Sequence, residues 1–149
     1  MNLKEGTIDE EHAVVTWESY LKWKKSIVVD LFQGQLRNTL TCLTCHKKQV
    51  QFDPFMYLSL PMTKDGNGCK TKSATSLDDC LYLFLLDEHL GGDNAWYCPA
   101  CKKHVEATKK FDIWIMPPIL IIHLKRFEYT SYRKIKIDKI IDYPLTQWR

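Results

Sequence analysis

Two Cys-x-x-Cys pairs, Cys42-Leu43-Thr44-Cys45 and Cys98-Pro99-Ala100-Cys101, constrain this chain more than anything else in it. A tight turn lets both sulfurs of such a pair face one ion, and two pairs complete the closed tetrahedral shell of a structural four-thiolate zinc site. Residues 46–97 separate the pairs, so a shared ion would tie together segments remote in sequence. The 6 cysteines could instead be read as a disulfide framework. Residues 1–11, however, are polar and acidic rather than a secretory signal, and without such a signal paired cysteines favour metal. We therefore expect Cys42, Cys45, Cys98 and Cys101 to hold one structural zinc ion.

At 149 residues the chain is about one domain, and 45% hydrophobic with 26% charged residues is an ordinary soluble composition. Its longest apolar run, 113–122, is broken by Pro117 and Pro118 and is too short to span a bilayer, so no membrane insertion is expected. Together these features predict an intracellular, cytoplasmic protein. Net charge of +3 is too small to argue for nucleic acid, although 102–139 carries ten basic residues against four acidic ones. Such an excess reads as a solvated face, and no basic stripe with interleaved aromatics stands out. No nucleic-acid partner is expected, a zinc-ribbon nucleic-acid binder remaining as the weaker alternative.

Thr7-Ile8-Asp9-Glu10 has the form of a capping box, and Ala13, Val14, Trp17, Tyr20 and Leu21 follow at spacings that predict an amphipathic helix over 8–24. Ile27-Val28-Val29 is β-branched, and loose alternation from Leu31 to Thr41 predicts strands leading into the first cysteine pair. Beyond that pair Val50 and Phe52 alternate with glutamines, Asp53-Pro54 reads as a bulge or bend, and a strand over 55–60 ends at Pro61. Residues 63–75 are almost devoid of apolar side chains and predict a surface loop. Ser76 with Asp79 signals a helix over 77–90, with Leu77, Leu81, Phe84 and Leu85 as its buried stripe and Gly91-Gly92 as its end. A strand over 105–115 leaves the second pair. Ile119-Leu120-Ile121-Ile122-His123-Leu124, apolar on both faces, is expected to be a central, covered strand. Past a polar turn around Thr130-Ser131, Ile135 and Ile137 alternate with lysines as in a half-exposed strand. The sum is an α+β fold with two helices, an antiparallel or mixed sheet, and a zinc-tipped extension of paired strands.

Four strings occur in one order along the chain: Leu31-Phe32-Gln33-Gly34-Gln35-Leu36; Phe52-Asp53-Pro54-Phe55-Met56-Tyr57-Leu58-Ser59-Leu60-Pro61; Trp96-Tyr97-Cys98-Pro99-Ala100-Cys101; and Pro117-Pro118-Ile119-Leu120-Ile121-Ile122-His123-Leu124-Lys125-Arg126-Phe127. Jointly they resemble the ubiquitin-specific protease family of cysteine deubiquitinases, over about 17–145. Within that family the chain looks nearest to the branch acting at endosomes, which adds endosomes, or the nucleus, as places of work. The resemblance implies a hand-shaped fold whose thumb and palm form a catalytic cleft and whose zinc-bearing fingers grip ubiquitin. Fingers would occupy roughly 26–61 and 94–116, and part of the palm 117–149. Family members cleave the isopeptide bond after ubiquitin's C-terminal glycine with a cysteine nucleophile, an activating histidine, and an Asp or Asn that orients it.

The chain departs from the family at both catalytic boxes. Asn38-Thr39-Leu40-Thr41-Cys42 only echoes the cysteine box in the wrong order, and Gly91-Gly92-Asp93-Asn94 lacks the histidine of the other. We thus expect no catalytic residue here, and an isolated chain that binds ubiquitin or ubiquitinated proteins without cutting. The alternatives are a noncatalytic regulatory module and a paralogue that has lost the chemistry. Cys69 falls in the polar loop and Cys80 beside an apolar stripe, neither with a neighbouring base. His123 is expected to be a satisfied core residue, His12, His46, His89 and His104 to be surface residues, and Phe52, Phe55 and Tyr57 to divide between core and ubiquitin contact. A partial palm would leave apolar strands uncovered, from which self-association is expected.

Overall fold

The structure, a computed structural model, describes residues 3–62, 74–129 and 134–144. Cys69, most of the expected polar loop and the turn at Thr130-Ser131 lie outside the described residues. In chain order the elements are α1 (Leu3–Lys24), α2 (Ile27–Phe32), β1 (Gly34–Cys42), β2 (Lys48–Phe55), β3 (Tyr57–Pro61), α3 (Leu77–Leu85) and β4 (Glu88–Leu90). There follow a 3-10 turn (Gly92–Asn94), β5 (Trp96–Cys98), β6 (Lys103–Val105), β7 (Ala107–Ile115), β8 (Ile121–Lys125), β9 (Phe127–Tyr129) and β10 (Lys134–Lys136). The fold is α+β, and it divides into two compact units: Met1–Tyr57 with Asp87–Ile121, and Leu58–Leu86 with Ile122–Arg149.

The first unit is built on a four-stranded sheet of order β2-β1-β7-β4, with every neighbouring pair antiparallel. β1 pairs with β2 from Gly34↔Phe55 to Thr41↔Lys48, and with β7 from Gln35↔Ile115 to Cys42↔Ala107. Gly34 opens β1 because nothing larger fits: a Cβ there would lie 2.5 Å from the Ile115 carbonyl oxygen and 2.6 Å from the Phe55 ring. Helix α1 packs on this sheet. Phe52 is 2% exposed; it meets Trp114 edge-on at 5.2 Å and His12 at 5.5 Å between ring centres. Arg37 pairs with Asp9 at 2.8 Å, and the buried Gln35 donates from Nε2 to the Ala13 carbonyl at 3.2 Å. The His12, Asp9 and Ala13 contacts join α1 to β1 or β2, and the Phe52–Trp114 contact joins β2 to β7.

The second unit pairs β3 with β8 and β9 with β10. Leu58, Leu60, Met62, Ala74, Cys80, Leu83 and Ile141 are its buried side chains. Helix α3 begins at the expected capping box, Ser76 accepting from the Asp79 amide at 3.1 Å while the Asp79 carboxylate accepts from the Ser76 amide at 3.0 Å. Backbone bonds from Leu77 to the Asp142 carbonyl, 2.8 Å, and from Asp142 to the Thr75 carbonyl, 3.0 Å, fasten the helix start to the chain beyond β10.

Several sequence expectations need correction. Helix α1 already runs from Leu3, so Thr7 and Glu10 lie inside it; a capping box starts a helix only where the preceding backbone is extended. Ile27-Val28-Val29 forms the helix α2, because Ser26 caps it, accepting from the Val29 amide at 3.3 Å, and this local bond outweighs a weak β preference. β2 passes straight through Asp53-Pro54, with Pro54 opposite Gln35; β2 is an edge strand among the described residues, and an edge tolerates proline because the missing N–H can face away from the ladder. Helix α3 stops at Leu85, and Glu88–Leu90 joins the sheet instead, paired with β7. The predicted strand over 105–115 is two strands, parted at Glu106.

The largest correction concerns β8. Expected to be central and covered, it pairs only with β3 among the described residues, and its side chains alternate between exposed and half-buried. Uniform apolar character across both faces suggested two covers, yet Ile121 is 45% exposed. His123 is exposed rather than a core residue, its Nδ1 lying 3.4 Å from the Ser59 hydroxyl.

Candidate metal centre

Sheet register brings the two cysteine pairs together. The first pair sits in the β1–β2 turn, directly after Cys42 has paired with Ala107 at the start of β7. The second sits in the β5–β6 turn, and β6 continues through Glu106 into β7. Because the Leu43 amide donates to the Glu106 carbonyl at 3.0 Å, the two turns face each other across one strand junction.

The turns are built alike. In each, the amide of the second cysteine points at the sulfur of the first: Cys45 N to Cys42 Sγ at 3.4 Å, and Cys101 N to Cys98 Sγ at 3.5 Å. The next residue closes the turn with its own amide, His46 onto the Cys42 carbonyl at 2.9 Å and Lys102 onto the Cys98 carbonyl at 2.8 Å. His46 and Lys102 are the chain's described non-glycine residues with positive φ, at 58° and 55°. Left-handed backbone is disfavoured for such residues, and its occurrence at equivalent places marks a geometry imposed by the site.

All four sulfurs lie within 4.8 Å of one another, with Cys42 to Cys101 at 3.9 Å and Cys45 to Cys98 at 3.7 Å. Four sulfurs about 2.3 Å from a tetrahedral zinc would stand about 3.8 Å apart, so the set fits the ion. Cys42 and Cys98 are buried, Cys45 and Cys101 half-buried, and Val105 and Trp96 pack against them. Without an ion the thiols are unequal. The Cys45 amide, chiefly, holds the Cys42 thiol down to about 6, whereas the hydrogen bond with the Cys45 side chain, then burial, pushes Cys101 up to about 12. A cation that replaces the last proton removes that asymmetry, which is why thiolate sites couple metal uptake to proton release. Four sulfur donors leave no open position for substrate or water, so the arrangement suits a structural ion.

The remaining candidates do not join this cluster. His46 and His104 are exposed, and His104 Nδ1 lies 3.0 Å from the Ala95 carbonyl oxygen rather than at the sulfurs. His89 stands 3.7 Å from Glu106, and His12 packs edge-on against Phe52. Phe52 and Phe55 are core, while Tyr57 is 59% exposed. Cys80 is buried with its thiol pushed up, chiefly by that burial. Lys47, Lys48 and Trp96, which share a cavity beside the cysteines, are missed by the sequence reading; their signal is a pair of lysines one residue beyond one cysteine pair and a tryptophan two positions before the other. No helix among the described residues is long and apolar enough to cross a membrane.

Comparison with known proteins gives a consistent match. The sequence model of ubiquitin carboxyl-terminal hydrolases matches residues 2–147. The chain is 40% identical over 144 residues to ubiquitin carboxyl-terminal hydrolase Usp2 of Drosophila melanogaster, covering 97% of this chain and 14% of that one. It is 41% identical over 137 residues to ubiquitin carboxyl-terminal hydrolase 2 of Gallus gallus, covering 92% and 37%. In structure it resembles a chain of the SAGA Ubp8/Sgf11/Sus1/Sgf73 DUB module bound to ubiquitin aldehyde, with a TM-score of 0.65 and 30% identity over 83% of this chain and 25% of that one. A form of that module bound to monoubiquitin gives 0.66 and 29%, over 85% and 28%. The chain thus spans between a seventh and about two fifths of these relatives' lengths.

Proposed function

The chain belongs to the ubiquitin carboxyl-terminal hydrolase family, and on that premise we propose that it forms the ubiquitin-gripping fingers and part of the palm of a deubiquitinase domain. In this reading 26–61 and 94–116 are fingers and 117–149 palm. Cys42, Cys45, Cys98 and Cys101 hold one structural zinc, which supplies no reactive water and fixes two strand turns where they meet. The observation that carries the reading is the sulfur geometry: tetrahedral spacing, reached by two like turns from segments remote in sequence. Ubiquitin-bound structural relatives support ubiquitin as the partner.

The chain binds without cutting. Four thiols serve the metal, Cys80 is a poor nucleophile because burial holds it in its protonated form, and Cys69, outside the described residues, has no neighbouring histidine base in sequence. His123 Nδ1 lies 3.4 Å from the Ser59 hydroxyl, and it has no hydrogen bond to a thiol among the described residues. Incubation of the zinc-loaded chain with a fluorogenic ubiquitin amide tests this: no turnover is expected, and turnover abolished by thiol alkylation would overturn it.

A further inference from the structure

Beside the sulfur cluster lies a cavity of about 420 Å³ lined by Lys47, Lys48, Gln49, Trp96, Cys98 and Pro99. That volume falls within the span of about 300–1,000 Å³ common for ligand pockets. Its lining is chemically two-sided, with two exposed ammonium groups on one part and the half-buried Trp96 ring with Pro99 on the other. Among the described residues, neither lysine has a salt-bridge partner. The imbalance extends past the cavity: 40–52 and 95–105 carry Lys47, Lys48, Lys102 and Lys103 with His46 and His104, and no Asp or Glu. A tetrathiolate ion does not cancel it. Four thiolates and a divalent cation sum to −2, the four lysines to +4, leaving +2 with the histidines neutral.

We propose that this cavity docks an acidic peptide segment of a partner protein, its carboxylates on Lys47 and Lys48 and one apolar side chain against Trp96 and Pro99. Lysines offer point charges rather than the planar fork with which arginine recognises phosphate. Only Lys47 and Lys48 among the basic residues line the cavity, too few to track a nucleic-acid backbone along a groove. The chain's overall charge is only +3. Peptide therefore fits better than nucleic acid. The site rests on the proposed metal holding the two turns together, so zinc content is measured beside binding in every sample.

The probe is a fluorescein-labelled peptide of glutamates flanking one phenylalanine, titrated by anisotropy with the zinc-loaded chain at low salt. Replacing both lysines, Lys47→Glu with Lys48→Glu, is expected to weaken binding at least about tenfold, a loss of about 1.4 kcal/mol, at unchanged zinc content. The same charge change on α1, Lys22→Glu with Lys24→Glu, is expected to weaken it less than about twofold, since these lysines do not line the cavity and act only through long-range attraction that salt weakens. Should charge reversal release the metal, the neutral pair Lys47→Gln with Lys48→Gln reads the same contacts with the same loss expected. Equal losses in both double variants, equal affinity for a glutamine version of the peptide, or more effective displacement by single-stranded oligothymidylate than by unlabelled peptide would each overturn the proposal.

Discussion

In the first unit, β1 is paired along nearly its whole length on both sides, to β2 and to β7. In the second, β3 has β8 as its only partner among the described residues, and β9 and β10 pair over three positions. Strands that mix apolar with polar residues supply both. What differs is the closure of the ends: β1 begins at a glycine wedged against Phe55 and Ile115 and finishes in a cysteine turn, whereas β8 passes directly into Arg126 and β9. Arg126 there donates to the Lys139 carbonyl at 2.7 Å and the Ile137 carbonyl at 3.3 Å, so one side chain ties down a segment without a wide ladder. A strand held on both sides and pinned at its tip can present a surface of fixed shape. Strands paired on one side leave backbone edges and apolar faces open.

Removing the metal should break this contrast most strongly. Structural zinc binding by thiolate peptides is worth on the order of 10 kcal/mol, so chelation, or Cys98→Ser, is expected to abolish hydrogen-exchange protection over 94–106 and at the ends of β1 and β7 that adjoin the cysteines. Protection in α3 should persist. Uniform loss across both units would erase the distinction drawn between them.

Core substitutions sharpen it next. Phe52 is 2% exposed and Phe127 47%. Phe52→Ala is expected to lower stability by about 3–5 kcal/mol, the usual cost for a buried aromatic, and Phe127→Ala by no more than about 0.5 kcal/mol, as for surface changes. Urea denaturation of both variants measures the difference, and similar costs would refute it.

The open faces of the second unit predict a smaller, concentration-dependent effect. Phe127, Ile135 and Ile140 are 47%, 47% and 82% exposed. Analytical ultracentrifugation is expected to show self-association that Ile135→Lys with Ile140→Lys reduces. A wild-type chain monomeric at all concentrations would contradict it.

The smallest effect belongs to the α3 cap. Ser76→Ala should cost about 1 kcal/mol. Its partner Asp79 is held down to about 2 from 3.8, chiefly by the Thr75 amide. A carboxyl depressed in the folded state stabilises above its ordinary value and ceases to as pH falls through the depressed one. The acid limb of unfolding monitored in α3 should accordingly show this loss between about pH 4 and 2 in the native chain, and not in Asp79→Asn.

The parts legible in the sequence were those written in local chemistry. Cysteine spacing announced the four-sulfur cluster, Ser76 and Asp79 the start of α3, and four ordered strings the family. What escaped depended on partners that no local pattern reveals. Ile119 to Leu124 reads as a covered strand because periodicity reports side-chain character, whereas coverage is set by which elements arrive. Pro54 reads as an interruption because the sequence does not say that β2 is an edge. Ile27-Val28-Val29 was misread through a weak propensity while the stronger signal, Ser26 as cap, stood one residue earlier. The basic cavity escapes a sequence reading because its lysines and its tryptophan, though each lies near a cysteine pair, approach one another only through the register of β1 and β7.

On the proposed reading, one zinc on four cysteines keeps a ubiquitin-gripping surface in shape. Titration of labelled ubiquitin with the chain, zinc-loaded and then chelated, tests both halves at once. Saturable binding that disappears with the metal and returns on adding one equivalent of zinc is the predicted result. Absence of binding at high micromolar concentration by the zinc-loaded chain, or binding indifferent to zinc, would contradict it.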